Sequence, residues 1–172
     1  WDVATVIVAT GVLTLLYSLV GGIAAVMWCD AIQGIILIVG AVVCAALLTF
    51  DMPEGPSQLF EIAAANGKMS LGSLSLTLRE PTFWVVLVYG LFTNMQNYGI
   101  DQNYVQRYMT ARSTAEAVRS TMFGSLLYIP VSFVFVYIGT ALFSYYTAQP
   151  ELLPEGVVGD KVFPYFIAHG LP

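Results

Sequence analysis

Charge is what this chain has least of. Asp, Glu, Lys and Arg together make up 10% of its 172 residues, where soluble domains carry roughly a quarter. A chain of this size folding in water needs more polar surface than that. The six basic residues are too few and too scattered to build a phosphate-binding face, which excludes nucleic acid as a partner. Histidine occurs once, at His169, with no acid or thiol beside it, and reads as structural. The two cysteines, Cys29 and Cys44, lie in or beside apolar runs and read as small packing residues, with no case for a disulfide or a metal site. The apolar runs also lack a nucleophile–base pair or metal-ligand cluster, so no enzyme is expected. No signal-peptide pattern is visible. A start at Trp1, inside an apolar run, and a stop at Leu171-Pro172 lead to the expectation of a fragment of a longer protein.

What the chain has in abundance is apolar sequence: 58% of residues are hydrophobic and the mean hydropathy is +0.76. The runs are continuous, whereas a β-barrel strand alternates apolar and polar over about ten residues. The expected class is all-α, a polytopic transmembrane helical bundle. Four segments approach the roughly 20 apolar residues a spanning helix needs: 3–20, 31–50, 82–104 and 118–146.

The connections carry their own signals. Gly21-Gly22 reads as a turn opening the link 21–30, and Trp28 suits an interface. Pro53, Gly55 and Pro56 open a long loop, 51–81. Within it Ser57 is expected to cap a short helix over residues 58–65, with Leu59, Phe60, Ile62 and Ala63 on its apolar side, ended by Asn66-Gly67. Residues 71–78 alternate leucine with Gly, Ser or Thr and predict a half-buried extended strand lying on the membrane surface. Ser113 and Glu116 fit a capping box opening the fourth helix, and Pro130 removes one backbone bond within it. Arg107, Arg112 and Arg119 cluster in the loop after the third span, whereas 51–81 and the tail 147–172 are net acidic. The positive-inside rule then places loop 105–117 in the cytoplasm and both acidic segments outside.

Polar residues concentrate at the end of the third span: Asn94-Met95-Gln96-Asn97-Tyr98-Gly99-Ile100-Asp101-Gln102-Asn103-Tyr104-Val105-Gln106-Arg107. Polar groups at membrane depth are expensive, face a bundle interior or a water-filled cavity, and serve function. Gly90 and Gly99 let such a helix loosen, and transporters place substrate against loosened helices.

Two segments together resemble the sodium/solute symporter family. Gly21-Gly22-Ile23-Ala24-Ala25-Val26-Met27-Trp28-Cys29-Asp30-Ala31-Ile32-Gln33 is similar to one of its signatures. Asp101-Gln102-Asn103-Tyr104-Val105-Gln106-Arg107 is similar to another, and the tail Gly159-Asp160-Lys161-Val162-Phe163-Pro164-Tyr165-Phe166 also looks familiar from it. The resemblance covers nearly the whole chain. It implies an inverted-repeat fold of ten core helices, of which residues 1–172, as a partial transporter domain, would supply four, helices four to seven. The implied activity is symport of sodium and a small organic solute by alternating access. The solute would be a sugar, sugar acid, monocarboxylate or vitamin-like molecule.

The resemblance also assigns residues. Asp30 matches an acid on the family's sodium route; read from the residues alone it is a helix N-cap. Asn94 matches an asparagine that binds sugar hydroxyls in a hexose-transporting relative. Asn97, Tyr98 and Tyr128 are assigned with it to the substrate site; they fall where that relative has an aromatic gate, a tryptophan and a substrate-facing lysine, a departure that puts hexose in doubt. Gly99, Asp101, Gln102, Gln106 and Arg107 would form the helix break and inner gate. The coupling ion would be sodium, its main site built by the family's first and eighth helices, neither of which is in this chain. The implied partners are the solute, sodium, the lipid bilayer of a plasma or bacterial inner membrane, and the remaining helices of the same chain. A second class stays open, a membrane solute sensor of the same fold fused to a signalling protein.

Overall fold

In a computed structural model, which describes residues 2–70 and 72–171, the chain is helical. Among the described residues six α-helices follow one another: α1 Val3–Phe50, α2 Pro56–Ala65, α3 Phe83–Gly99, α4 Gln102–Met109, α5 Thr114–Ala148 and α6 Val162–His169. Two short 3-10 turns, Pro150–Leu152 and Gly159–Lys161, lie between the last two. The chain divides into two compact units, 1–40 and 41–172.

In the first unit the decisive residue is Gly22. It leaves helical geometry at φ 58°, ψ −155°, a combination essentially reserved for glycine. A straight helix of 48 residues would run about 72 Å, more than twice the ~30 Å hydrocarbon core. The break divides it into two stretches, each long enough to cross alone. The turn expected at Gly21-Gly22 is there, but it is one residue wide. Residues 23–30, expected to be a link, are helical. Asp30 therefore stands inside a helix, and the N-cap reading fails because the N–H groups ahead of it are already in the helical ladder.

The second unit holds the core. Ala41, Cys44 and Leu48 on α1 meet Ile138, Ala141, Leu142 and Tyr146 on α5, with Leu59 from α2 and Phe166 from α6. The i, i+3, i+7 and i, i+3, i+4, i+8 spacings mark one stripe on each long helix. Tyr137 and Thr49 exchange a hydroxyl hydrogen bond of 2.5 Å beside them. α2 docks on α5 through fully buried Leu59 and Ala63. The Leu59 carbonyl accepts from the buried Ser144 hydroxyl at 3.0 Å, and the Lys68 ammonium sits 4.4 Å over the Phe143 ring. Ser57 does not cap α2. Pro56, with φ preset for a first helical position, moves the cap to Gly55 and leaves Ser57 in the first turn. Asn66-Gly67 ends the helix as expected, the Gly67 and Lys68 amides bonding back to Ala64 and Ala63.

The strand expected at 71–78 is not formed. Leu71 lies outside the described residues; among 72–78 there is no strand, and Leu76 and Leu78 are 87% and 90% exposed. Period-two alternation has no effect without a neighbouring strand. The serines bond locally instead, Ser73 to Ser75 at 2.8 Å. The segment runs back over the start of α3, where the Phe83 amide donates to Ser73 and the Trp84 indole to Leu74.

Among the described residues α1 and α5 are long and apolar enough to cross a membrane, with mean hydropathies of 2.6 and 2.1 in their most apolar stretches. α5 continues through Pro130. Its start follows the capping box in part: the Ser113 hydroxyl accepts from the Glu116 amide, but the Glu116 carboxylate receives the Arg112 amide, one residue earlier than the reciprocal bond requires.

Candidate functional site

The third apolar segment does not run through to Tyr104. α3 stops at Gly99 and α4 starts at Gln102. Gln96 closes α3 by accepting from the amides of both Ile100 and Asp101. Asp101 then opens α4, its carboxylate accepting from the Asn103 amide at 2.8 Å, an N-cap at the positive end of a helix. The loop expected over 105–117 is accordingly mostly helix, with only 110–113 non-helical between α4 and α5.

Beside this break is a cavity of about 410 Å³, within the ~300–1,000 Å³ usual for small-molecule sites. Its lining comes from three helices: Thr93, Asn94, Asn97 and Tyr98 on α3, Tyr104 on α4, and Ser125 and Tyr128 on α5. Positions 93, 94, 97 and 98 form one face of α3, and 125 and 128 one face of α5. The structure thus brings together all four residues singled out for the solute: Asn94, Asn97, Tyr98 and Tyr128. Asn94 donates one amide hydrogen to the Gly90 carbonyl at 2.8 Å, and an amide retains a second donor and an acceptor for a hydroxyl. The Ser125 hydroxyl bonds back to Thr121 at 2.9 Å. The Tyr98 and Tyr104 rings meet at 5.0 Å, tilted by 59°. The lining holds amides, hydroxyls and aromatic rings, and no charged side chain.

The other expected gate residues lie at the break or beyond it. Gly99 ends α3, Asp101 caps α4, and Gln102 is its first residue. Gln106 and Arg107 are exposed on its last turns, where a cation favours the helix dipole. Asp30 belongs to the first unit. Among the described residues no group of three or more His, Cys, Asp or Glu side chains stands ready to hold a metal ion. His169 stacks on Tyr165 at 4.3 Å and donates from Nδ1 to its carbonyl, a structural placement.

Three lining residues were missed in the sequence. Ser125 carried a signal, lying three residues before Tyr128 on the same helix face. Thr93 adjoins Asn94. Tyr104 stands within the polar stretch and the second signature, but nothing local marks it as a wall residue, because only the break folds it back against Tyr98.

Residues 1–168 match the model of the sodium:solute symporter family. The chain belongs to the sodium:solute symporter family. Among its relatives, the Sodium/sialic acid symporter SiaT of Proteus mirabilis is 33% identical over 172 residues, covering 99% of this chain and 35% of that protein. The Sodium/sialic acid symporter NanT of Aliivibrio fischeri is 30% identical, covering 94% and 32%. Human Sodium-coupled monocarboxylate transporter 1 is 29% identical, covering 97% and 28%. A solved Na+-coupled sialic acid symporter, substrate-bound and outward-open, superimposes with a TM-score of 0.89 at 31% identity, covering all of this chain and 36% of that one. The chain thus spans about a third of the length of the curated relatives it matches. Sodium:solute symporters are integral membrane transporters rather than enzymes, which agrees with the class read from composition.

Proposed function

We propose that the full-length protein carries a small organic solute across the membrane together with sodium, by alternating access, and that the cavity at the α3–α4 break is part of the solute's wall. The observation that supports this most is the convergence of Asn94, Asn97, Tyr98 and Tyr128 on one cavity beside a broken helix. Broken helices at such sites serve solute recognition in membrane carriers. The relatives are named for sialic acid and monocarboxylates, so a carboxylate-bearing solute is the favoured class. This wall has no charge with which to meet a carboxylate. Its amides and hydroxyls suit the hydroxyl or amide portion of the solute, leaving the carboxylate to helices outside these residues. Asp30 lies on the sodium route, and sodium's main site lies in the remaining helices. The spans run 3–20, 31–50 and 118–146, with the third, expected over 82–104, shortened to 83–99 by the break after Gly99; 105–117 lies in the cytoplasm, 51–81 and 147–172 outside, in a plasma or bacterial inner membrane.

Uptake by the full-length protein, with and without sodium, across labelled sugars, sugar acids, monocarboxylates and vitamins tests the reading. One class should accumulate only with sodium; uptake indifferent to sodium would reject coupling. Asn94→Ala should then weaken apparent affinity roughly five- to a hundredfold, the loss of a hydrogen-bond partner of order 1–3 kcal/mol. Unaltered equilibrium binding of the solute would return Asn94 to the role of a helix-packing amide bonded to Gly90.

A further inference from the structure

One residue outside the cavity is hydrogen-bonded to one inside it. α3 ends at Gly99, so the carbonyl of Tyr98 loses the partner a continuing helix would supply. Gln102, whose amide would have closed on it, opens α4 instead. The Tyr108 hydroxyl reaches that carbonyl from across the break, donating at 3.4 Å. Tyr108 does not line the cavity. One turn earlier on the same face of α4, Tyr104 packs its ring against the Tyr98 ring. A single face of α4 thus grips Tyr98 at two points, its main chain and its ring. α4 itself is anchored by the Asp101 cap and by packing against α5.

We propose that Tyr108 is a positioning residue for the cavity, holding Tyr98 in the wall through its carbonyl so that the placement of α4 sets how open the cavity is. This deepens the reading of the cavity as the solute's wall and rests on it. The test needs no solute, so its failure is separable from failure of that reading. In the full-length protein, with every other cysteine replaced, Ser125→Cys places one thiol on the opposite wall, and its reaction rate with 2-aminoethyl methanethiosulfonate reports access. Tyr108→Phe removes only the hydroxyl and should raise that rate about two- to fivefold, the lower range for one hydrogen bond. The same change made on a Tyr98→Ala background should leave the rate unaltered, because no ring remains to be positioned. Tyr98→Leu replaces that background if the alanine variant is not monodisperse. An unchanged rate with Tyr108→Phe overturns the proposal. So does an equal rise on both backgrounds, which would mark Tyr108 as merely stabilising α4.

Discussion

Replacing Gly22 by alanine should destabilise the protein by about 1–3 kcal/mol, the cost of holding an L-residue in a backbone region that only glycine occupies freely. The observed angles, φ 58° and ψ −155°, lie in that region. Space is not the obstacle, since a Cβ at Gly22 meets nothing within 4 Å. At Gly21 the situation is reversed. Its φ is not in the left-handed range, but a Cβ there would collide with the Ala25 Cβ, inside any tolerable carbon–carbon contact. The two glycines therefore fail for different reasons, and a second substitution separates them. Gly21→Ala should be rescued by Ala25→Gly, less about 1 kcal/mol for a glycine inside a helix. Gly22→Ala should not be rescued by any side-chain truncation. Unfolding of the purified full-length protein in mixed micelles, titrated with SDS, reads these differences as free energies. A Gly22→Ala protein as stable as its parent would refute the argument, and so would its rescue by Ala25→Gly.

Three further outcomes are expected. Asp101→Ala should lose the cap of α4 and about 1 kcal/mol of stability, whereas Asp101→Asn should retain most of it; equal loss from both, measured by the same titration, would show that the carboxylate does more than cap. Asp30→Asn should shift the sodium activation curve of uptake more than it changes solute affinity at saturating sodium, and an unshifted curve would remove Asp30 from the sodium route. With cysteines at positions 112 and 68, an impermeant thiol reagent applied to intact cells should label 68 and spare 112, and the opposite pattern would invert the topology.

Much of the helical framework was legible because its punctuation is local. Gly21-Gly22, Asn66-Gly67 and Ser113 with Glu116 each act within a few residues, and each marks a boundary the structure keeps. The cavity was legible at Asn94 and Asn97 because amides stand out in an otherwise apolar run. The errors share a cause, since each treated a local pattern as sufficient. Asp30 reads as a cap only if the helix starts there, and one strained glycine starts it eight residues earlier. The leucine alternation of 71–78 lacked a strand to pair with. Ser57 lost its position to a proline whose ring already fits the first helical turn. The continuation of the third span to Tyr104 failed because Asp101 captures the Asn103 amide, and with it a new helix start, a competition visible only once the chain is folded.

With α3 crossing the bilayer as proposed above, its length would tie the cavity to the lipid. Its 17 residues rise about 26 Å, short of a ~30 Å hydrocarbon core. As a span it is mismatched by a few ångströms, and a bilayer relieves mismatch by thinning, or the protein does so by tilt or by drawing flanking residues inward. Here the flanking residues at one end are the break itself. A thicker membrane would pull Ile100 and Asp101 toward hydrocarbon and strain the junction that Tyr108 and Asp101 hold together. Acyl-chain length would thus act on this protein as a mechanical load, felt first at the wall where the solute is proposed to rest.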